Sequence, residues 1–166
     1  SGLLRSTVEV RGPQARLTLR FFDVVSQKEL LAKSYSVSTS EAERATLEFI
    51  DEVIRLLTGE AGVFSSKIAY IKQTKAGKAL YVSDIAGGSE RRLTDPSAVS
   101  VLPEWGPEGK TLLFTSYLRS NPDLYSLDLK TKELKWLSNK RGLNMGAALS
   151  PDGKKIAFTL SVDGNT

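Results

Sequence analysis

A block of sequence recurs at fixed spacing, and this repeat constrains the fold more than any other feature. Trp105-Gly-Pro-Glu-Gly-Lys110 aligns with Leu149-Ser-Pro-Asp-Gly-Lys154, and Pro107 and Pro151 stand 44 residues apart. Without a gap, the same offset pairs Ile68 with Leu112 and Ile156, and Tyr70 with Phe114 and Phe158. It also pairs Leu80-Tyr81 with Leu124-Tyr125, Asp84 with Asp128, and Leu93 with Leu137. A period of ~40–50 residues holding several strands is the mark of a β-propeller blade. Helical solenoid repeats of that length need a 3.6-residue apolar period, whereas these segments alternate.

The strands of each period can be placed. Val101–Trp105 and Met145–Leu149 are the expected innermost strands, with Thr111–Thr115 and Lys155–Leu160 second. Leu80–Ile85 and Leu124–Leu129 come third, and Glu90–Thr94 and Glu133–Ser138 lie outermost. In the turn between the first two, proline presets the first corner, aspartate tolerates the second, and glycine supplies a positive φ. That chemistry accounts for Ser150-Pro-Asp-Gly structurally, and one Asp per turn is too sparse for calcium. A closed propeller takes ~4–8 blades, and the repeats here make little more than two. The expectation is a piece of a longer protein; completion of a ring by several chains is the alternative.

Before the repeats the texture differs. Ser6–Val10 alternates weakly, Gly12-Pro13 marks a turn, and Leu17, Leu19 and Phe21 alternate with Arg16, Thr18 and Arg20. After a polar turn at Ser26–Lys28, Leu31, Tyr35 and Val37 share one side of a third strand. An antiparallel meander is predicted. Ser40 and Glu43 then fit a capping box. Leu47, Ile50, Ile54 and Leu57 form the apolar stripe of a helix, with Phe49 and Val53 widening it. Gly59 is the expected left-handed stop. The fold class is therefore an α+β N-terminal piece (antiparallel strands plus one amphipathic helix) followed by an all-β partial propeller of about two blades. Domain limits are expected at 1–60, the C-terminal part of an α/β domain, and 61–166, two blades and the start of a third.

Composition narrows the chemistry. The chain has 166 residues, with no histidine and no cysteine. This excludes imidazole acid–base catalysis, Ser–His and Cys–His pairs, thiol nucleophiles, disulfides and His/Cys metal sites. The remaining Ser, Lys, Asp and Glu residues show no triad-like spacing, so neither catalysis nor a cofactor is expected. The net charge of +4 is spread along the chain without interleaved aromatics, which argues against nucleic-acid binding. No run approaches the ~20 apolar residues of a membrane-spanning helix, and the first residues do not read as an export signal.

The junction Asp51-Glu-Val-Ile-Arg-Leu-Leu-Thr-Gly59, followed by Gly62-Val-Phe-Ser-Ser-Lys-Ile-Ala-Tyr70, resembles the TolB family of periplasmic Tol–Pal proteins. Tyr81-Val-Ser-Asp84 and the phrase from Asn144 to Phe158 fit the same family. The resemblance implies an N-terminal α/β domain followed by a six-bladed propeller, and a periplasmic, non-catalytic role in outer-membrane integrity and cell division, exploited by colicins. It implies binding of the peptidoglycan-associated lipoprotein Pal at the propeller. TolA would be met only through an N-terminal segment that this sequence lacks. In a propeller, the loop entering each inner strand lies at a mouth where blades converge; here these are Ala98–Leu102 and Arg141–Ala147. The candidate partner-binding residues are Ser100, Val101, Leu143, Asn144, Met145 and Gly146. Leu143-Asn-Met-Gly-Ala147 stands where the family commonly has His-Asn-Gly-Ala-Pro, and Gly106 and Glu108 replace the usual Ser and Asp of the turn. The competing reading is the gating propeller of a prolyl-oligopeptidase-like peptidase, which shares Pro-Asp-Gly blades but needs a Gly-x-Ser-x-Gly hydrolase domain elsewhere.

Overall fold

Alternating apolar residues build the first sheet. A computed structural model describes residues 1–85, 87 and 89–161, and it divides the chain into two units, Ser1–Ser66 and Lys67–Thr166. In the first unit, β1 (Gly2–Arg11), β2 (Gln14–Asp23) and β3 (Lys28–Ser38) form an antiparallel meander. Ala15, Leu17, Leu19 and Phe21 of β2 are buried on one face, as their two-residue period requires. Against that face lies α1 (Ala42–Thr58), which packs on β2 and β3. Strand β1 lies at the sheet edge beyond the helix, and all of it is exposed.

Two helix expectations are corrected. The capping interaction uses Ser38 and Glu41, not Ser40 and Glu43: the Glu41 carboxylate accepts from the Ser38 amide (3.2 Å) and hydroxyl (2.6 Å). The chain leaves β3 at Ser38 through a 3₁₀ turn, Thr39–Glu41, and this sets the cap two residues early. The buried stripe is Ala45, Phe49 and Val53, while Leu47, Ile50 and Ile54 are only half-buried and Leu57 is 59% exposed. Two strands beneath a helix cover one row of side chains, and the bulky Phe49 takes the centre. Gly59 ends the helix as expected, at φ 80° with its amide on the Arg55 carbonyl.

Asp51 ties the segment after the helix back onto it. Its carboxylate accepts from the amides of Phe64 (2.7 Å) and Ser65 (2.8 Å) and from the Ser65 hydroxyl. Gly62 passes so close that a Cβ there would overlap Asp51. Burial raises the Asp51 pKa, but the Ser65 hydroxyl and the two amides outweigh it and leave the net shift downward from 3.8. A depressed carboxyl pKa stabilises above its unfolded value and loses that effect as pH falls through the folded value. Amide exchange at Phe64 and Ser65 is therefore expected to quicken about tenfold or more in Asp51→Asn at neutral pH, and to match wild type near pH ~2. Equal exchange in the two proteins at neutral pH would show that Asp51 does not hold this segment.

The second unit is built of stacked sheets. The first contains β4 (Lys67–Thr74), β5 (Gly77–Asp84) and β6 (Arg91–Arg92) in sequence order. β7 (Ser100–Trp105), β8 (Thr111–Arg119), β9 (Asn121–Asp128) and β10 (Leu134–Ser138) form the second, in spatial order β10-β9-β8-β7. β11 (Asn144–Leu149) pairs with β12 (Ile156–Leu160) in the third. These are partial propeller blades, and equivalent strands recur at the offset read in the sequence. β8 departs from alternation: Leu112 through Ser116 are all buried. Leu112 and Phe114 meet Leu80 of the first sheet, whereas Leu113 meets Ala147 of the third. A strand covered on both faces has no polar side to show.

The turns after the inner strands differ in backbone. Gly153 adopts φ 68°, but in the preceding repeat Glu108 itself takes φ 57° beside Gly109 at 62°. Gly106 stands where the other turn has Ser150 because Thr111 crowds it, and a Cβ would overlap the threonine hydroxyl. Ser150 instead accepts the Lys155 amide (2.9 Å) and donates to Asp152 (2.6 Å).

Candidate functional site

The inner strands β7 and β11 each carry a backbone irregularity at the same place. Pairing with β8 shifts between Val101 and Glu104, and pairing with β12 shifts between Met145 and Ala148. Inside these bulges Leu102 (φ 53°) and Gly146 (φ 63°) are left-handed. They are equivalent in the repeat and adjacent in space, since a Cβ on Gly146 would lie 3.9 Å from Leu102 Cδ1. Glycine adopts that backbone without cost, but a leucine there is an outlier that the surrounding ladder must hold. The Leu102 side chain is nevertheless 49% exposed. A strained, rigidly placed and solvated apolar side chain is a ready contact for a partner.

The six residues expected to bind a partner fall into two layers. Ser100 and Asn144 are wholly buried. Val101, Leu143 and Met145 are half-buried, and Gly146 is exposed. Asn144 organises the loop before β11. Its Oδ1 accepts from the Ser138 hydroxyl (2.6 Å) and the Lys140 amide (3.1 Å). Its Nδ2 faces the carbonyls of Lys140 (2.7 Å), Pro122 (3.1 Å) and Gly142 (3.1 Å). The Thr115 hydroxyl reaches the Asn144 carbonyl at 3.3 Å, joining the second and third sheets. Ser100, its equivalent in the repeat, bonds the Ala98 carbonyl at 3.3 Å. These two side chains position the surface from behind.

Sequence reasoning missed two contributors. Leu102 lay within the loop segment but was not singled out, although the gapless offset that pairs it with Gly146 carried the signal. The two strands of the β8–β9 hairpin were expected, but its tip was not singled out as part of the site. Ser120 turns it at φ 68°, the Tyr117 amide bonds the Val99 carbonyl (2.9 Å), and Asn121 Nδ2 bonds the Lys140 carbonyl (3.2 Å). These bonds bring the hairpin tip to the same end of the sheets as the loops before β7 and β11. Nothing in its composition marks it. Among the described residues there is no group of three or more His, Cys, Asp or Glu side chains able to hold a metal, and no helix long and apolar enough to cross a membrane.

Repeated short-stranded sheets stacked face to face, with bulged inner edges gathered at one end, define a β-propeller type of repeat protein. The comparisons are specific beyond that class. The family model described as "TolB beta propeller domain" matches residues 54–166, so the chain belongs to the TolB β-propeller domain family. It is 32% identical over 98% of its length to the Tol-Pal system protein TolB of Desulfosudis oleivorans, and spans 37% of that protein. Similarity to the Desulfotalea psychrophila TolB is 34% identity over 88% of the chain and 34% of the relative. The crystal structure of TolB from Acinetobacter baumannii superposes with a TM-score of 0.85 at 26% identity, covering 98% of this chain and 42% of that one.

Proposed function

We propose that this chain is part of a non-catalytic periplasmic protein of the Tol–Pal envelope system, which binds the peptidoglycan-associated lipoprotein at the propeller mouth. Residues 61–166 would supply two blades and the start of a third, and residues 1–60 the end of an α/β domain. The observation that carries the reading is the pair Leu102 and Gly146, side by side in matching bulges. Val101, Leu143 and Met145 complete the surface, with Ser100 and Asn144 holding it from below. The family match and the 0.85 TM-score favour this reading over the gating propeller of a peptidase.

Hydrogen–deuterium exchange of the full-length protein, with and without the soluble domain of the lipoprotein, tests the location. Slower exchange in peptides spanning 99–103 and 141–147 is expected. Protection confined to the opposite turns, Pro107–Lys110 and Pro151–Lys154, would refute the site.

A further inference from the structure

The meander of the first unit gathers charges that lie apart in the sequence. Along β2, the residues facing away from α1 alternate with the buried Ala15, Leu17, Leu19 and Phe21, and the cross-strand register carries that parity to β1 and β3. Arg5, Thr7, Glu9 and Arg11 therefore share the open face with Arg16, Thr18 and Arg20 of β2 and with Ser34 and Ser36 of β3. Arg5 stands directly opposite Arg20, and Thr7 opposite Thr18. These four residues line one hollow of about 320 Å³. Like charges directly opposed across two strands are destabilising, and an anion between them removes the cost. Among the described residues Arg5 has no ion pair, and Arg20 meets only Glu29, at 3.5 Å between solvated side chains, which is a weak contact. Glu9 lies opposite Arg16, four residues along the strand from Arg5 and so about 13 Å away.

The same face ends at an exposed apolar turn. Beyond the row of Arg5 and Arg20 come Leu3 and Phe22, paired across the strands. Then follows the turn to β3, where Val24 is 51% and Val25 82% exposed. Leu3 is exposed as well, and Phe22 is half-buried. Turns ordinarily carry Gly, Pro, Asn, Asp or Ser, and valines this solvated lie outside the core. The Asp23 carboxylate is engaged within the turn, by the Val25 amide (3.0 Å) and the Ser26 hydroxyl (2.7 Å). Over face and turn together, Arg5, Arg11, Arg16, Arg20 and Lys28 outnumber Glu9, Asp23 and Glu29.

We infer that this open sheet face and the Val24–Val25 turn form a docking surface for a membrane containing anionic phospholipid, with a headgroup phosphate held between Arg5 and Arg20. Guanidinium groups bind phosphate bidentately, and the Thr7 and Thr18 hydroxyls are further donors lining the hollow. Successive residues on one face of a strand are about 7 Å apart, so the arginine row stands one step behind Leu3 and Phe22. Interfacial elements enter the boundary between headgroups and acyl chains by about 5–10 Å. With Val25 at that depth, the arginines lie among the headgroups. A soluble phosphate would engage the arginines and leave the valines without a role. None of these residues belongs to the proposed lipoprotein contact.

Co-sedimentation of the full-length protein with vesicles tests the inference. Vesicles of phosphatidylglycerol and phosphatidylcholine in equal parts should bind it, and about 0.5 M salt should release most of it. Pure phosphatidylcholine should bind far more weakly. Replacing both arginines, Arg5→Gln with Arg20→Gln, should cut the affinity about tenfold or more. Val25→Ser keeps the charge and should cut it severalfold. Lys154→Gln, a charge loss at an exposed turn of the second unit, should leave it unchanged. All these side chains are exposed, so melting should not move. The inference is overturned by absence of vesicle binding, whether or not inorganic phosphate binds, or by equal binding to both kinds of vesicle. Full affinity in the double arginine variant or in Val25→Ser overturns it equally, as does tighter binding of a single-stranded oligonucleotide than of the vesicles.

Discussion

Asn144→Ala is expected to destabilise the second unit by about 3–5 kcal/mol, among the largest effects of any single substitution here. The buried amide joins Ser138, Lys140, Gly142 and Pro122. Alanine leaves at least two donors and one carbonyl without partners in a region shielded from water, and each such group costs about 1–3 kcal/mol. Some of that cost is recovered if water enters. Asn144→Asp sharpens the expectation through pH. The carboxylate would keep the bonds from Ser138 and Lys140 but face three carbonyl oxygens in place of an NH₂ donor. Its pKa in the folded state would be raised, so the variant should gain stability as pH falls through that value. Urea unfolding of the full-length protein, followed by tryptophan fluorescence, checks both. An Asn144→Ala protein within ~0.5 kcal/mol of wild type would show that the loop does not depend on this side chain.

Much of the architecture was legible because repetition leaves a direct trace. Each blade cannot bury its faces alone, so the apolar residues of every repeat must recur in register. The strand order followed from Ile68, Leu112 and Ile156, and the helix stop followed from Gly59. What could not be read depended on neighbours. Ser38 and Ser40 are both plausible caps in sequence; the end of β3 decides between them. Leu47, Ile50, Ile54 and Leu57 make a good helical stripe, yet β2 and β3 select the adjacent one, centred on Phe49. Asn144 matched a family phrase for a partner contact, but its identity is explained by the carbonyls it meets, which come from Pro122 and Lys140, distant in sequence or across a turn. Leu102 shows the reverse case. Its exposed strand position looks ordinary until its φ of 53° is known.

Leu102→Asp is the second large expectation and the most direct test of the proposed lipoprotein contact. Leu102 is held in a left-handed bulge, where aspartate is tolerated better than leucine, so the substitution should not unfold the protein. It does place a charge on the apolar centre of the surface. Loss of a central anchor typically costs ~2–4 kcal/mol of binding energy, a fall in affinity of roughly thirty- to a thousandfold. Gly146→Asp acts on the same surface, with φ 63° and no clash at the new Cβ. Isothermal titration of the soluble lipoprotein domain into the full-length protein reads this. Wild type is expected to bind tightly, and Leu102→Asp to lose at least thirtyfold in affinity with unchanged melting. Unaltered affinity in a folded Leu102→Asp protein would contradict the proposed contact.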